Sequence, residues 1–122
     1  MSNEQKNYDL EERTAKFGEN TLIFCKTLKF STVTEPLIKQ VVRSSTSVGA
    51  NYLEANGACS RKDFQNKIFL CKKEAQESRH WFRMLAVCLQ DEKERLMELS
   101  QEAKELAMIF NKISATCKIN ND

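Results

Sequence analysis

Between Phe64 and Leu89 the residues Phe64, Ile68, Cys71, Ala75, Ser78, Phe82, Leu85 and Leu89 recur at steps of 4, 3, 4, 3, 4, 3 and 4. Alternating steps of three and four return to one side of an α-helix every two turns, so this stretch is a helix with one buried seam. Leu96, Leu99, Ala103, Leu106, Phe110, Ile113 and Cys117 repeat the rhythm. A strand, whose side chains alternate with period two, holds neither set on one face. Three glycines and one proline in 122 residues are also too few to turn a sandwich or barrel. The chain is all-α.

Two earlier segments complete the pattern. Leu10, Phe17, Phe24 and Leu28 share a helix face, and Asp9 with Glu12 reads as a capping box at its start. Leu37, Val41, Val48, Tyr52 and Ala55 share another, with Thr34 as N-cap, Pro36 in the first turn and Gly57 as a left-handed stop. Ser60 with Asp63 caps the third segment, and Asp91 with Glu94 the fourth. Leu89 to Leu96 is seven residues, so the heptad phase runs through, and one helix of roughly 55 residues competes with a hairpin. The capping pattern at Asp91 favours a turn near Gln90. The expected fold is an antiparallel up-down-up-down four-helix bundle filling 1–122. Its helices run over about 9–29, 34–56, 60–90 and 92–118, behind a flexible polar stretch at 1–8.

No apolar run approaches the ~20 residues that span a bilayer, and the polar N-terminus has no signal-peptide core, so a cytoplasmic protein is expected. Nineteen basic against seventeen acidic residues give a net charge of +2. Residues 57–91 hold seven basic and four acidic, so any attraction for polyanions lies there. The five cysteines form no CxxC pair, which excludes a zinc cage and reads as small apolar side chains in a reducing compartment. Cys71 and Cys117 fall on seams, where apolar surroundings make a thiol inert.

Catalytic chemistry finds little support. Glu77-Ser78-Arg79-His80 has the spacing of an iron-binding pair, but such sites need two copies, and His80 is the sole histidine. It also falls about 200° from the seam residue Ser78, on the outer face. No serine or cysteine has a base to activate it. Neither a metal, a cofactor nor an enzymatic activity is expected.

Three surface or interhelical features remain. Ser44 to Ala50, with Gly49 inside a helix, suits close backbone packing, within or between subunits, better than a ligand pocket. Beside the seam of helix three, Lys67, Glu74 and Trp81 form a second stripe with Asp63, Leu70 and Glu77. Arg43, Asn51 and Glu54 on helix two are spaced to meet it in a structural polar network. The far side of helix three carries Arg61, Gln65, Phe69, Lys72, Gln76, Arg79 and Arg83, with no acid among them. A solvated face, a subunit interface marked by Phe69, and phosphate contacts by Arg61, Lys72, Arg79 and Arg83 are the three readings.

The residues Arg43-Ser44, Ser47-Val48-Gly49-Ala50-Asn51-Tyr52, Glu54-Ala55, Lys62-Asp63-Phe64, Lys67-Ile68, Lys73-Glu74-Ala75, Glu77 and Trp81, with Tyr8-Asp9-Leu10 ahead of them, carry a resemblance. Together they resemble the four-helix-bundle proteins encoded in 23S rRNA intervening sequences, a family that includes the accessory variability determinant of diversity-generating retroelements. The resemblance implies a ring-shaped homopentamer without catalysis. In the retroelement branch it implies a basic ring that binds a reverse transcriptase and nucleic acid, whereas this chain is far less basic. Two functions follow. One is an oligomeric bundle that binds RNA or a ribonucleoprotein or reverse-transcriptase partner, and the other is a protein-only scaffold.

Overall fold

The third-segment seam forms one continuous helical face. In the computed structural model, which describes residues 3–121 and the side chains of residues 9–117, the chain runs through four helices. These are α1 (Asn3–Lys26), α2 (Thr34–Asn56), α3 (Arg61–Cys88) and α4 (Lys93–Asn121), with a short 3₁₀ turn at Gln90–Glu92. Helix α2 packs on α1 and α3, α3 packs on α4, and α1 meets α4 along a thinner edge. That order is the antiparallel four-helix bundle expected from the short connections. No helix among the described residues is long and apolar enough to cross a membrane.

The core follows the heptads. Ile68, Cys71, Ala75, Ser78, Phe82 and Leu85 of α3 are buried, as are Leu96, Leu99, Ala103, Leu106 and Phe110 of α4. Two aromatic pairs cross the diagonals. Phe17 of α1 meets Phe82 of α3 edge-on at 6.3 Å, and Tyr52 of α2 meets Phe110 of α4 at 6.0 Å. Such pairs contribute about 1 kcal/mol beyond the area they bury.

Several helix ends depart from the capping patterns. Helix α1 begins at Asn3, inside the stretch expected to be flexible, so Asp9 lies within the helix and caps nothing. No proline or glycine stands between Asn3 and Asp9 to stop it. At α2 the reciprocal cap starts at Ser31. The Ser31 hydroxyl accepts from the Thr34 N–H at 3.1 Å, and the Thr34 hydroxyl accepts from the Ser31 N–H at 3.0 Å. Thr34 thus fills the place that glutamate takes in a capping box. Gly57 has φ −98° and ψ 12°, not the left-handed stop expected, because its N–H is shared between the Leu53 and Glu54 carbonyls.

The cap at Ser60 and the turn near Gln90 match their patterns, but Asp91 lies inside the 3₁₀ turn at Gln90–Glu92 and does not cap α4, which starts at Lys93. Ser60 caps α3 through the Asp63 N–H at 3.0 Å. The chain reverses between Cys88 and Lys93, where the Leu89 N–H reaches the Leu85 carbonyl at 2.8 Å and the Leu89 carbonyl accepts from Glu92 at 2.9 Å. The two long heptad stretches are therefore separate helices, packed seam to seam.

The small residues of α2 lie against α1. A Cβ at Gly49 would sit 3.5 Å from Thr14, and one at Gly18 would sit 3.4 Å from the Thr46 Cα. Thr14, Thr21 and Ser45 are buried there, each hydroxyl donating to a carbonyl of its own helix. The close contact expected of the Gly49 run thus falls within one subunit.

Candidate nucleic-acid interface

The outward row of α3 divides along the helix. Arg61 and Gln65 border a cavity at the end of the bundle where α2 passes to α3. Phe69 is 58% exposed at mid-helix. Lys72 reaches across to α4, donating to Asn111 Oδ1 at 3.0 Å. Arg79 and Arg83 stand on the rim of an open groove of about 460 Å³ between α3 and α4. Buried Phe82 and Leu96 form its floor, while Lys93 and Met97 of α4 form the far wall. No acidic residue lines it.

Three basic side chains around a carboxylate-free groove set up a local positive potential that the net charge of +2 conceals. Guanidinium forks at Arg79 and Arg83 match phosphate oxygens in geometry, and Lys93 adds a point charge opposite them. Reading α3 by itself misses Lys93. The signal for it lies in the turn, since a reversal at Gln90–Glu92 lays the first turns of α4 beside the last turns of α3.

On the opposite flank of α3 the second stripe meets α2. Arg43 Nη1 donates to Glu74 at 2.9 Å, and Nη2 donates to Glu77. Glu77 also accepts from Trp81 Nε1 at 2.9 Å, one turn along the helix. Lys67 pairs with Glu54 at 3.2 Å. Asn51, the sixth residue expected in this network, instead turns to its own helix and donates to the Ser47 carbonyl at 2.9 Å. Glu74, at 12% side-chain exposure, is the member that most needs its cation. The arrangement clamps α2 to α3, with Arg43 shared between Glu74 and Glu77 and Lys67 paired with Glu54.

A second clamp, unforeseen in the sequence, holds the thin α1–α4 edge. Arg13 donates Nε and Nη2 to the two oxygens of Glu102 at 2.8 and 2.7 Å and reaches Glu105 at 3.2 Å. These partners lie 89 and 92 residues apart, so no local pattern brings them together.

The thiols differ from the uniform apolar reading. Burial pushes Cys25 up to about 11 and Cys71 up to about 12, while Cys59 and Cys88 are exposed and Cys117 is half-buried. The seam loses its close packing at Cys117, where the core gives way to the cavity beside Arg61. His80 is exposed on α3, its ring edge-on to Trp81 at 4.8 Å. Among the described residues no cluster of three or more metal-ligating side chains occurs.

The sequence profile of 23S rRNA-intervening sequence proteins matches residues 6–112, nearly the whole bundle. The chain belongs to that family. A crystal structure of a protein of unknown function from the S23 ribosomal protein family of Bacteroides thetaiotaomicron has the same fold, with a TM-score of 0.75 and 29% identity. The similarity covers 86% of this chain and 97% of that one. No curated protein matches the sequence. Membership of the 23S rRNA-intervening sequence family explains why the motif from Arg43 to Trp81 is so dense. Ser44, Val48, Tyr52, Ile68 and Ala75 fill the α2–α3 core, while Arg43, Lys67, Glu74 and Trp81 build the polar clamp beside it.

Proposed function

We propose that this protein is a non-enzymatic, homo-oligomeric bundle that binds RNA through the α3–α4 groove. The observation that carries the reading is the groove itself, with Arg79, Arg83 and Lys93 around it and no acid. An RNA backbone bound there exchanges its counterions for these side chains. Ribonucleoprotein and reverse-transcriptase partners are the biological form that the resemblance to the retroelement branch adds. A non-catalytic role is what the family resemblance implies.

Oligomerisation is supported by Phe69, which an isolated bundle leaves in water, and the ring of five comes from the family resemblance. Phe69 also favours the second reading, a protein-only scaffold in which the α3 row contacts a neighbouring subunit. Titration of a single-stranded RNA at several salt concentrations separates the two. A log–log slope of about −2 supports phosphate contacts by the three groove cations, and no binding at 50 mM salt leaves the scaffold. Sedimentation equilibrium tests assembly, where a single species of 14.1 kDa at micromolar concentration refutes it.

A further inference from the structure

The five thiols fall into three environments. Cys25 and Cys71 are buried in the core. Cys88 is exposed where α3 ends at the hairpin. Cys59, in the link between α2 and α3, and Cys117, near the end of α4, line one cavity of about 410 Å³ at the opposite end of the bundle. We propose that Cys59 and Cys117 are a reactive dithiol that closes into an intramolecular disulfide on contact with hydrogen peroxide, tying the α2–α3 link to the end of α4.

Both thiols open onto the same cavity. Cys59 is exposed and Cys117 is half-exposed, so a small oxidant reaches both. Cys59 stands between Gly57 and the N-cap Ser60, outside any helix, where the backbone adjusts most cheaply to the 4.4–6.8 Å Cα separation of a disulfide. Cys117 belongs to the last turns of α4, seven residues beyond Phe110, whose ring is held against Tyr52. The cavity is also not a close-packed apolar seat. Gln65 borders it, and its amide nitrogen is buried without a hydrogen-bond partner.

The chemistry balances as follows. The Cys59 thiolate attacks one peroxide oxygen, the O–O bond breaks, and the departing hydroxide takes a proton to leave as water. The Cys117 thiolate then attacks the sulfenic sulfur, forming the S–S bond and releasing a second water. Two thiols lose two electrons and two protons, and one peroxide is reduced to two waters. The product closes a loop of roughly 60 residues, long enough to restrain the unfolded chain strongly.

Peptide mapping of the full-length protein after hydrogen peroxide treatment, digested without reductant, tests this. The expected product is one cross-linked peptide pair joining Cys59 to Cys117, about 2 Da lighter than the free pair, in protein that still migrates as a single chain. Cys117→Ser should leave Cys59 as a sulfenic acid trappable by dimedone, while Cys88→Ser should leave the cross-link intact. Separate oxidation of Cys59 and Cys117 without a linked peptide overturns the proposal. So does a linkage found only between chains.

Discussion

The hydroxyls of Ser44 and Ser78, both fully buried, lie 2.8 Å apart where α2 packs on α3. Ser78 donates onward to the Glu74 carbonyl at 2.9 Å, so Ser44 supplies the proton between the pair. Ser44→Ala leaves Ser78 its carbonyl acceptor and should cost about 1 kcal/mol. Ser78→Ala leaves Ser44 only the Val41 carbonyl at 3.4 Å and should cost more, about 1 to 3 kcal/mol. The double variant should lose clearly less than the sum, because neither hydroxyl is then stranded. Urea unfolding of the four proteins measures the coupling, and strict additivity would refute it.

Arg43 is the hinge of the neighbouring clamp. Arg43→Ala removes the cation from Glu74 and Glu77 together, and the expected loss is about 1 to 2 kcal/mol, moderated because the guanidinium is half in water. Arg43→Ala, Glu74→Gln combined should recover part of it, since the largely buried carboxylate is then gone. Equal stability of the single and double variants counts against the clamp.

Gly49 is not sterically required. Its φ is not positive, and a Cβ would meet Thr14 at ordinary contact distance, 3.5 Å. Gly49→Ala should therefore stabilise the protein by about 0.5 to 1 kcal/mol through helix propensity. Gly18→Ala should gain less, because its Cβ would lie 3.4 Å from the Thr46 backbone. Thermal melts decide, and a lower Tm for Gly49→Ala would show that α1 and α2 approach more closely than the 3.5 Å spacing indicates.

Stability should fall in alkali. Cys25 and Cys71 have folded values of about 11 and about 12, above the ordinary 9.0, because burial disfavours the thiolate. Below pH 9 both states are protonated and the contribution is whole. Above it the unfolded chain ionises first, so the contribution drains away up to the folded values, by about 1.4 kcal/mol per pH unit for each group. Cys71→Ala should lose stability less steeply between pH 9 and 12 than the parent. Parallel curves would place the Cys71 thiol near its ordinary value.

The heptads of α3 and α4 were legible because burial itself writes the period, and Ile68 to Leu85 lie where that period puts them. Helix starts were less legible. Ser31 and Thr34 cap α2 reciprocally although neither is acidic, and Asp9 has the right spacing but no chain break before it. Contacts between helices were the least legible. Arg43 with Glu74 was readable because both flank the α2–α3 seam, whereas Arg13 with Glu102 and Arg79 with Lys93 depend on how α4 is rotated against its neighbours. The pairing of Cys59 with Cys117 in one cavity depends on where α4 ends, which no periodicity records.

That rotation separates two versions of RNA binding. If the whole α3 row were the contact, Arg61 and Arg79 would matter alike. They lie 18 residues apart, about 27 Å along the helix, and only Arg79 borders the groove. Arg79→Gln with Arg83→Gln should flatten the logarithmic salt slope of RNA binding by about 1.5 units. Lys93→Gln should remove a further ~0.7, although it belongs to another helix, and Arg61→Gln should leave the slope unchanged. Equal effects of Arg61→Gln and Lys93→Gln would shift the contact from the groove to the row. An unchanged slope in every variant, with weaker sedimentation of the Arg79→Gln, Arg83→Gln protein, would assign these side chains to a subunit interface.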